Sequence, residues 1–551
     1  MVYVTPDTTA VAPLHRAQAF WRPAAAGLAA ALAGLGVAEL TAAWIAPGAS
    51  PVLTVGVLVI DIVPAGVKDL VIGLFGTADK IVLIVTIVLV LLLVAALAGI
   101  LESRRPPFGR LLVVLIGAIA LFAALSRSSA STLDAVPAVV AMGVSAIALT
   151  FLTTRLPVDH RTGHAATASA PARVPEQAPA QVPEQAPARL DGSGPDRRRF
   201  LVYTAITAGI GLLALAGAQF SAAATRAADA ARALFPLPTP SVRAAAIPAG
   251  ASLDVAGITP LITPNADFYR IDTALSVPRI DPTTWRLKVT GMVENEVEID
   301  FAELLALPLE ESTTTLACVS NYVGGDLIGN ATWLGYPIRA LLARAKPTER
   351  ADMVLSTSQD GFTAGTPIEA LTDGRNAILA VGMNGEPLPL EHGYPVRMVV
   401  PGLYGYVSAT KWVVELKLTR FDQEQGYWTP RGWSAEGPVK LSSRIDVPRQ
   451  GTSVSAGSIV VAGVAWSQQV GISAVAVQID DGPWQAAALA DAISVDTWRQ
   501  WAYTWDRAVA GDHTIRVRAT DAAGLVQTSA TADVAPDGAT GLHEISVSVS
   551  A

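Results

Sequence analysis

Five long apolar runs, at residues 24–45, 81–101, 111–125, 136–152 and 201–218, constrain this chain more than any other feature. Each approaches the roughly 20 residues that an α-helix needs to cross a bilayer, and 111–125 is the shortest. The chain is 51% hydrophobic and only 16% charged, too apolar for an all-soluble protein, and the excess lies before about residue 225. Glu39 is nearly alone as a charge inside these runs, which gives little support to a transporter built from them.

The stretch 52–75 is apolar but carries Asp61, Pro64, Lys68 and Asp69, which are costly in mid-bilayer. Charge placement bears on whether it crosses. His15, Arg16 and Arg22 precede the first run, Arg104, Arg105 and Arg110 follow the second, and Arg197, Arg198 and Arg199 precede the last. The positive-inside rule assigns all three groups to the cytoplasm. Five spans satisfy that and leave everything after about residue 222 outside. A sixth span over 52–75 would put the 102–110 loop on the wrong side. The expectation is therefore a multi-pass α-helical membrane domain over 1–156, with 52–75 on or dipping into the outer face, and a further transmembrane helix over 200–222. Between them, 157–199 contains Val-Pro-Glu-Gln-Ala-Pro starting at Val174 and again at Val182. Such a segment cannot build a core and reads as a disordered cytoplasmic linker.

The soluble part begins near Arg243. Alternation over Trp285-Arg-Leu-Lys-Val-Thr predicts a strand, and 301–307 a short helix, so 245–440 reads as an α+β domain. From about Ser443 the pattern is all-β: 458–466, 474–479 and 513–519 are strands, punctuated by Asp480-Asp-Gly482 and Asp521-Ala-Ala-Gly524. That spacing predicts an immunoglobulin-like sandwich over 441–551. Net charge is −8 with no basic tract in the soluble part, which argues against a nucleic-acid partner. One cysteine, Cys318, precludes an intrachain disulfide.

Taken alone, Cys318 reads as a small buried residue at the end of a strand. Its setting adds chemistry. It opens a glycine-rich loop, where a backbone can approach a cofactor closely. A thiolate suits a soft or high-valent metal, yet no second Cys or His lies at zinc or iron–sulfur spacing. One protein thiolate makes sense if the cofactor brings its own sulfurs. The string Cys318, Gly324-Gly325, Asn330-Ala331, Trp333, Gly335 resembles the sulfite oxidase family, and the resemblance covers about 255–550. It implies a molybdenum–molybdopterin cofactor with Cys318 as the metal ligand. It also implies cofactor contacts from Asn265, Phe268 and Tyr269 in a first cofactor loop, from Ser358, and from His392, Arg397 and the turn Ala409-Thr410-Lys411. Arg270 and Tyr322 stand with Cys318 as the catalytic candidates. The C-terminal sandwich resembles that family's dimerisation domain, which implies homodimerisation.

Departures bear on the substrate. Sulfite oxidases carry arginines after the catalytic Cys and in the late glycine turn. Here Val319-Ser-Asn-Tyr322 and Tyr406-Val407 occupy those places, which leaves Arg270 as the one candidate anion-binding arginine. Oxygen-atom transfer to sulfite or a related small molecule competes with sulfoxide reduction. A reading of another class is a membrane-anchored binding protein whose catalytic domain has degenerated. None of the six histidines lies in an apolar run and no Cys-x-x-Cys-His occurs, so no haem is expected and the electron partner is a separate carrier. Asp196-Arg-Arg-Arg-Phe-Leu201, directly before the last run, resembles a twin-arginine export signal. The expected location is the cell membrane, with the catalytic domains extracytoplasmic.

Overall fold

A computed structural model of the chain describes residues 12–46, 48–63, 79–127, 130–156, 193–232 and 236–551, with single positions between 63 and 79. The linker expectation for 157–192 and most of 64–78 lie outside the described residues. Two compact units divide the chain, Met1–Arg226 and Ala227–Ala551.

The first unit is helical: α1 (Ala12–Ile45), α2 (Pro51–Ile62), α3 (Asp79–Arg104), α4 (Phe108–Leu125), α5 (Ala135–Thr153) and most of α6 (Ser193–Arg232). Five of these helices are long and apolar enough to cross a membrane. The exception is α2, whose 12 residues reach about 18 Å against a hydrocarbon core of about 30 Å. Glycines let the helices approach closely. A Cβ at Gly27 of α1 would strike the Ala95 carbonyl of α3, and one at Gly36 would strike that of Gly211 in α6. Helix α6 contains the stretch 200–222 expected to cross a membrane and extends past it at both ends. It starts at Ser193 and runs to Arg232, because the alanine-rich segment after the apolar run carries no helix breaker.

The second unit opens with ten strands: β1 (Arg286–Gly291), β2 (Val297–Asp300), β3 (Glu310–Ala317), β4 (Ile328–Pro337), β5 (Met353–Ser358), β6 (Thr363–Pro367), β7 (Ile378–Met383), β8 (Glu386–Pro387), β9 (Arg397–Val399) and β10 (Val413–Thr419). Helices α7 (Phe301–Ala306), α8 (Ile338–Ala345) and α9 (Ile368–Thr372) fall between them. One sheet has the order β2-β1-β10-β5-β6, with β1 and β10 parallel; the other runs β3-β4-β7-β8, with β9 on β7. Alternation in β1 turns Leu287 and Val289 into a core shared with Leu341, Val354, Val381 and Leu416. The Asp300 carboxylate accepts from the Glu303 amide at 2.8 Å and starts α7.

Strands β11 (Ser442–Val447), β12 (Ser453–Ser455), β13 (Gly457–Trp466), β14 (Ile472–Ile479), β15 (Gln485–Ala486), β16 (Ala488–Leu489), β17 (Arg499–Ala508), β18 (Gly511–Asp521) and β19 (His543–Ser550) complete the unit. They form two sheets, β11-β13-β17-β16 and β12-β19-β18-β14-β15. Val461 and Trp501 from the first share a core with Val477, Ile515 and Ile545 from the second. This part is bonded to β3 and to the segment before β1. The Trp498 amide donates to Thr315 Oγ1 at 2.8 Å, its indole donates to the Leu261 carbonyl at 2.9 Å, and the Thr315 amide donates to the Asp496 carbonyl at 3.0 Å.

Candidate active site

Strand β3 is rich in threonine, and its buried hydroxyls are satisfied locally. Thr315 Oγ1 donates to Asn330 Oδ1 at 3.0 Å, and Asn330 Nδ2 donates to the Leu261 carbonyl at 2.9 Å. Asn330 thus ties the segment before the first cofactor loop to the β3–β4 pair. Where β3 ends, Cys318 is 7% exposed, and its amide donates to the Leu327 carbonyl at 2.9 Å across the loop base. Inside the loop, Asn321 Oδ1 accepts from the Leu327 amide at 2.9 Å. Gly324 has φ +79, and a Cβ there would collide with the His543 ring. Only glycine suits both conditions. Arg444 Nη1 donates to the Gly325 carbonyl at 2.8 Å, so β11 and β19 brace the cysteine loop. Burial pushes the Cys318 thiol up, while Ser320 and the Lys411 charge pull the other way.

Cys318 lines a cleft enclosing about 890 Å³, counting space open to solvent at its mouth. Strand β9 and the turn into β10 supply its cations. Arg397 is 4% exposed; its guanidinium donates to the carbonyls of His392 (3.1 Å) and Met398 (3.3 Å) and lies 5.0 Å from the centre of the Trp333 ring. Among the described residues no carboxylate pairs with it. Lys411 Nζ donates to Asp272 Oδ2 at 3.0 Å and to the Glu391 carbonyl at 2.9 Å, and Asp272 also holds Arg270. Burial lowers Arg397 to about 10 and Lys411 to about 8, with Asp272 opposing the shift at Lys411. Both are cations at neutral pH. Next to Lys411, Trp412 has φ 50, a strained conformation for a bulky residue, and is held by its indole donating to the Leu390 carbonyl at 3.0 Å.

His392 is 2% exposed. Its Nε2 bonds the Asn265 carbonyl at 3.0 Å, which requires the proton on that nitrogen. Nδ1 is then a buried acceptor that finds no hydrogen-bond partner among the described residues. Burial first, then Arg397 and Lys411, push the ring down to about 4, so it is neutral.

Of the residues singled out from sequence, Phe268, Tyr269, Cys318, Ser358, Arg397, Ala409 and Lys411 line the cleft. Asn265, Arg270, Tyr322, His392 and Thr410 do not. Asn265 bonds Asn384 at 2.8 Å and meets His392 through its carbonyl. Thr410 Oγ1 sits on Ser356 Oγ at 2.7 Å. Arg270 is turned onto Asp272. Tyr322 is 62% exposed and lines a separate small pocket with Asn321 and Tyr404.

A family described as "Oxidoreductase molybdopterin binding domain" matches residues 274–428. An uncharacterized oxidoreductase of Bacillus subtilis, YuiH, is 31% identical over 157 residues, covering 28% of this chain and 76% of that protein. The chain belongs to the sulfite oxidase family of molybdopterin oxidoreductases. Mitochondrial sulfite oxidase of Rattus norvegicus is 30% identical over 271 residues, covering 41% of this chain and 49% of that protein. The protein-methionine-sulfoxide reductase catalytic subunit MsrP of Burkholderia mallei is 30% identical over 214 residues, covering 34% and 61%. The chain thus spans about half the length of the mitochondrial sulfite oxidases it matches.

The cofactor of a sulfite oxidase family member is molybdenum–molybdopterin, and the residues present fit it. A buried thiol supplies one soft donor. Arg397 is a buried cation without a carboxylate and calls for an anion. His392 Nδ1 is an unsatisfied acceptor able to take an N–H or O–H of a polar ring. Sequence reasoning missed Asp272 as the partner of Lys411, and it missed the aromatic wall of Phe362, Tyr406, Trp428 and Trp433. The density of aromatics in Tyr427-Trp428-Thr-Pro-Arg-Gly-Trp433 was the available signal.

Proposed function

We propose that the protein is a membrane-embedded molybdenum oxidoreductase that transfers an oxygen atom between water and a small substrate, with Cys318 as the protein ligand to the metal. The observation that carries the reading is the juxtaposition, in one cleft, of a buried thiol with a buried guanidinium that pairs with no carboxylate among the described residues. When bound, the molybdenum–pterin group supplies two-electron redox chemistry and oxygen-atom exchange. Cys318 gives the soft donor and must lose its proton on metal binding, which burial opposes and the Lys411 charge assists. Arg397 and Lys411 hold the anionic part of the cofactor, Asp272 fixes the ammonium in place, and His392 accepts a hydrogen bond at Nδ1.

In the oxidative direction, substrate and water give the oxygenated product, two protons and two electrons. The electrons leave to a separate carrier. Sulfite or a related small molecule is the first substrate reading. Sulfoxide reduction, the same balance reversed, is the second, and it is favoured by the lack of an arginine in the Val319–Tyr322 stretch. Dye-linked turnover of metal-loaded protein with sulfite and with sulfoxides tests both, and absence of turnover in either direction would refute the reaction.

Membrane embedding is supported by the five apolar helices, whose outward faces carry Leu93 (71% exposed), Ile147 (72%) and Leu213 (75%). Residues 441–551 are read as an immunoglobulin-like dimerisation domain. The catalytic unit is assigned to the extracytoplasmic side, by the arginines that open α6. Changing Arg197 and Arg198 to Lys keeps the charge but removes the twin-arginine pair. Protease added to intact spheroplasts should cut the wild-type catalytic unit and spare the mutant; equal cleavage would reduce the arginines to a charge anchor.

A further inference from the structure

Four of the cleft-lining residues, Phe362, Tyr406, Trp428 and Trp433, belong to one connected aromatic cluster completed by Tyr427. Ring centroids lie 5.9 Å apart for Tyr406–Trp433, 6.2 Å for Trp433–Trp428, 5.2 Å for Trp428–Tyr427 and 5.9 Å for Tyr427–Phe362. Backbone position places the cluster near the thiol. A Cβ on Gly405, just before Tyr406, would stand 3.8 Å from the carbonyl oxygen of Ala317, just before Cys318. The wall is also fixed. The Tyr406 hydroxyl donates to the Ser434 carbonyl at 2.9 Å, and the Tyr427 amide donates to the Thr363 carbonyl at 2.9 Å.

Charge in the cleft is already matched. Among the described lining residues the cations are Arg397 and Lys411. Lys411 pairs with Asp272, which also holds Arg270 outside the lining, and Arg397 and Lys411 are both assigned to the cofactor anion. Asp360 adds a second lining carboxylate. Arg431 stacks over Tyr427, 3.7 Å from the ring centre, and does not line the cleft. An inorganic oxyanion beside the thiol would shed its hydration against indole faces and meet carboxylates. An uncharged carbon arm would instead bury apolar surface there.

We propose that Trp428 and Trp433, with Tyr406 and Phe362, form a substrate subsite for an aryl or branched-alkyl group attached to the atom that exchanges oxygen. The substrate class is a neutral organosulfur compound, and Trp433 and Trp428 determine that specificity. This rests on the oxygen-transfer reading above.

The test titrates full-length, molybdenum-loaded protein in detergent with methyl phenyl sulfoxide, dimethyl sulfoxide and sulfite, with binding read by calorimetry. Methyl phenyl sulfoxide should bind about tenfold or more tighter than dimethyl sulfoxide, the scale expected for burying a phenyl ring on aromatic faces. Trp433→Ala should abolish that preference while molybdenum content and dimethyl sulfoxide affinity stay at wild-type level. Trp433→Phe should keep most of it, which separates a lost subsite from a lost fold. Failure of the aryl sulfoxide to bind, tighter binding of sulfite, or an aryl preference that survives both Trp433→Ala and Trp428→Ala would overturn the subsite. The reaction itself fails by a different result: protein from a cofactor-competent host that holds no molybdenum, whatever its ligand preference.

Discussion

The two groups of residues lining the cleft are built in opposite ways. Arg397 and Lys411 are 4% and 8% exposed and hang on β9 and the turn into β10, and their neighbour His392, 2% exposed, ends the turn Leu390–His392, with each polar contact tied to backbone or to Asp272. Phe362, Tyr406, Trp428 and Trp433 are half-buried and lie on turns and loops. A rigid, charged, deeply buried set suits a group that stays; an apolar set on loops suits one that comes and goes. The cysteine stands where the two meet, on a loop braced from the C-terminal sheets by Arg444 and His543.

The largest effect expected from breaking this contrast is at Arg397. Arg397→Ala removes charge-assisted hydrogen bonds worth roughly 1.5–3 kcal/mol each, so cofactor affinity should fall by about tenfold or more per bond. Molybdenum per chain would report it, and Trp433→Ala should leave the same measurement unchanged. Normal occupancy with lost turnover in Arg397→Ala would move this residue to the substrate side.

A smaller effect concerns the brace under the cysteine loop. His543 Nδ1 accepts the Ile445 amide at 2.9 Å, and burial holds the ring at about 4, below its ordinary 6.5. The folded state therefore disfavours protonation. Stability from His543 is full above about pH 6.5 and is lost as pH falls toward 4, at up to about 1.4 kcal/mol per pH unit and so about 2 kcal/mol by pH 5. His392, also held at about 4, adds to the same slope. The melting temperature of the catalytic unit should drop between pH 7 and pH 5, and His543→Gln should flatten part of that drop. A slope unchanged by the substitution would remove His543 from the brace.

The smallest effect is at Thr410, whose hydroxyl bonds Ser356 within the core. Thr410→Val should cost about 1 kcal/mol of stability and leave cofactor content at wild-type level. Lost cofactor would return Thr410 to the cofactor set.

Periodicity and apolar length made much of the architecture legible. The five apolar runs correspond to five long helices, the alternation at 285–290 to β1, and the short runs after Ser443 to paired strands. Local composition failed where a structure depends on what is absent. Nothing between 219 and 232 stops a helix, so α6 outran its apolar stretch. At the site, Cys318 and the cations at 397 and 411 were singled out through the family resemblance, and the three line one cleft. Side-chain direction was not legible. Tyr322 follows the cysteine by four residues yet turns outward, and Thr410 sits between two cleft residues yet points into the core. Asp272 and the Trp428–Trp433 wall reach the cleft from loops distant in sequence, and periodicity says nothing about loops.

Molybdenum K-edge X-ray absorption of the full-length protein, wild type against Cys318→Ser, tests the central claim most directly. The wild type should show molybdenum with sulfur neighbours from the cofactor and one more from Cys318, and the variant should lose one sulfur neighbour together with turnover. Identical sulfur shells in the two proteins, or a wild type without molybdenum, would contradict it.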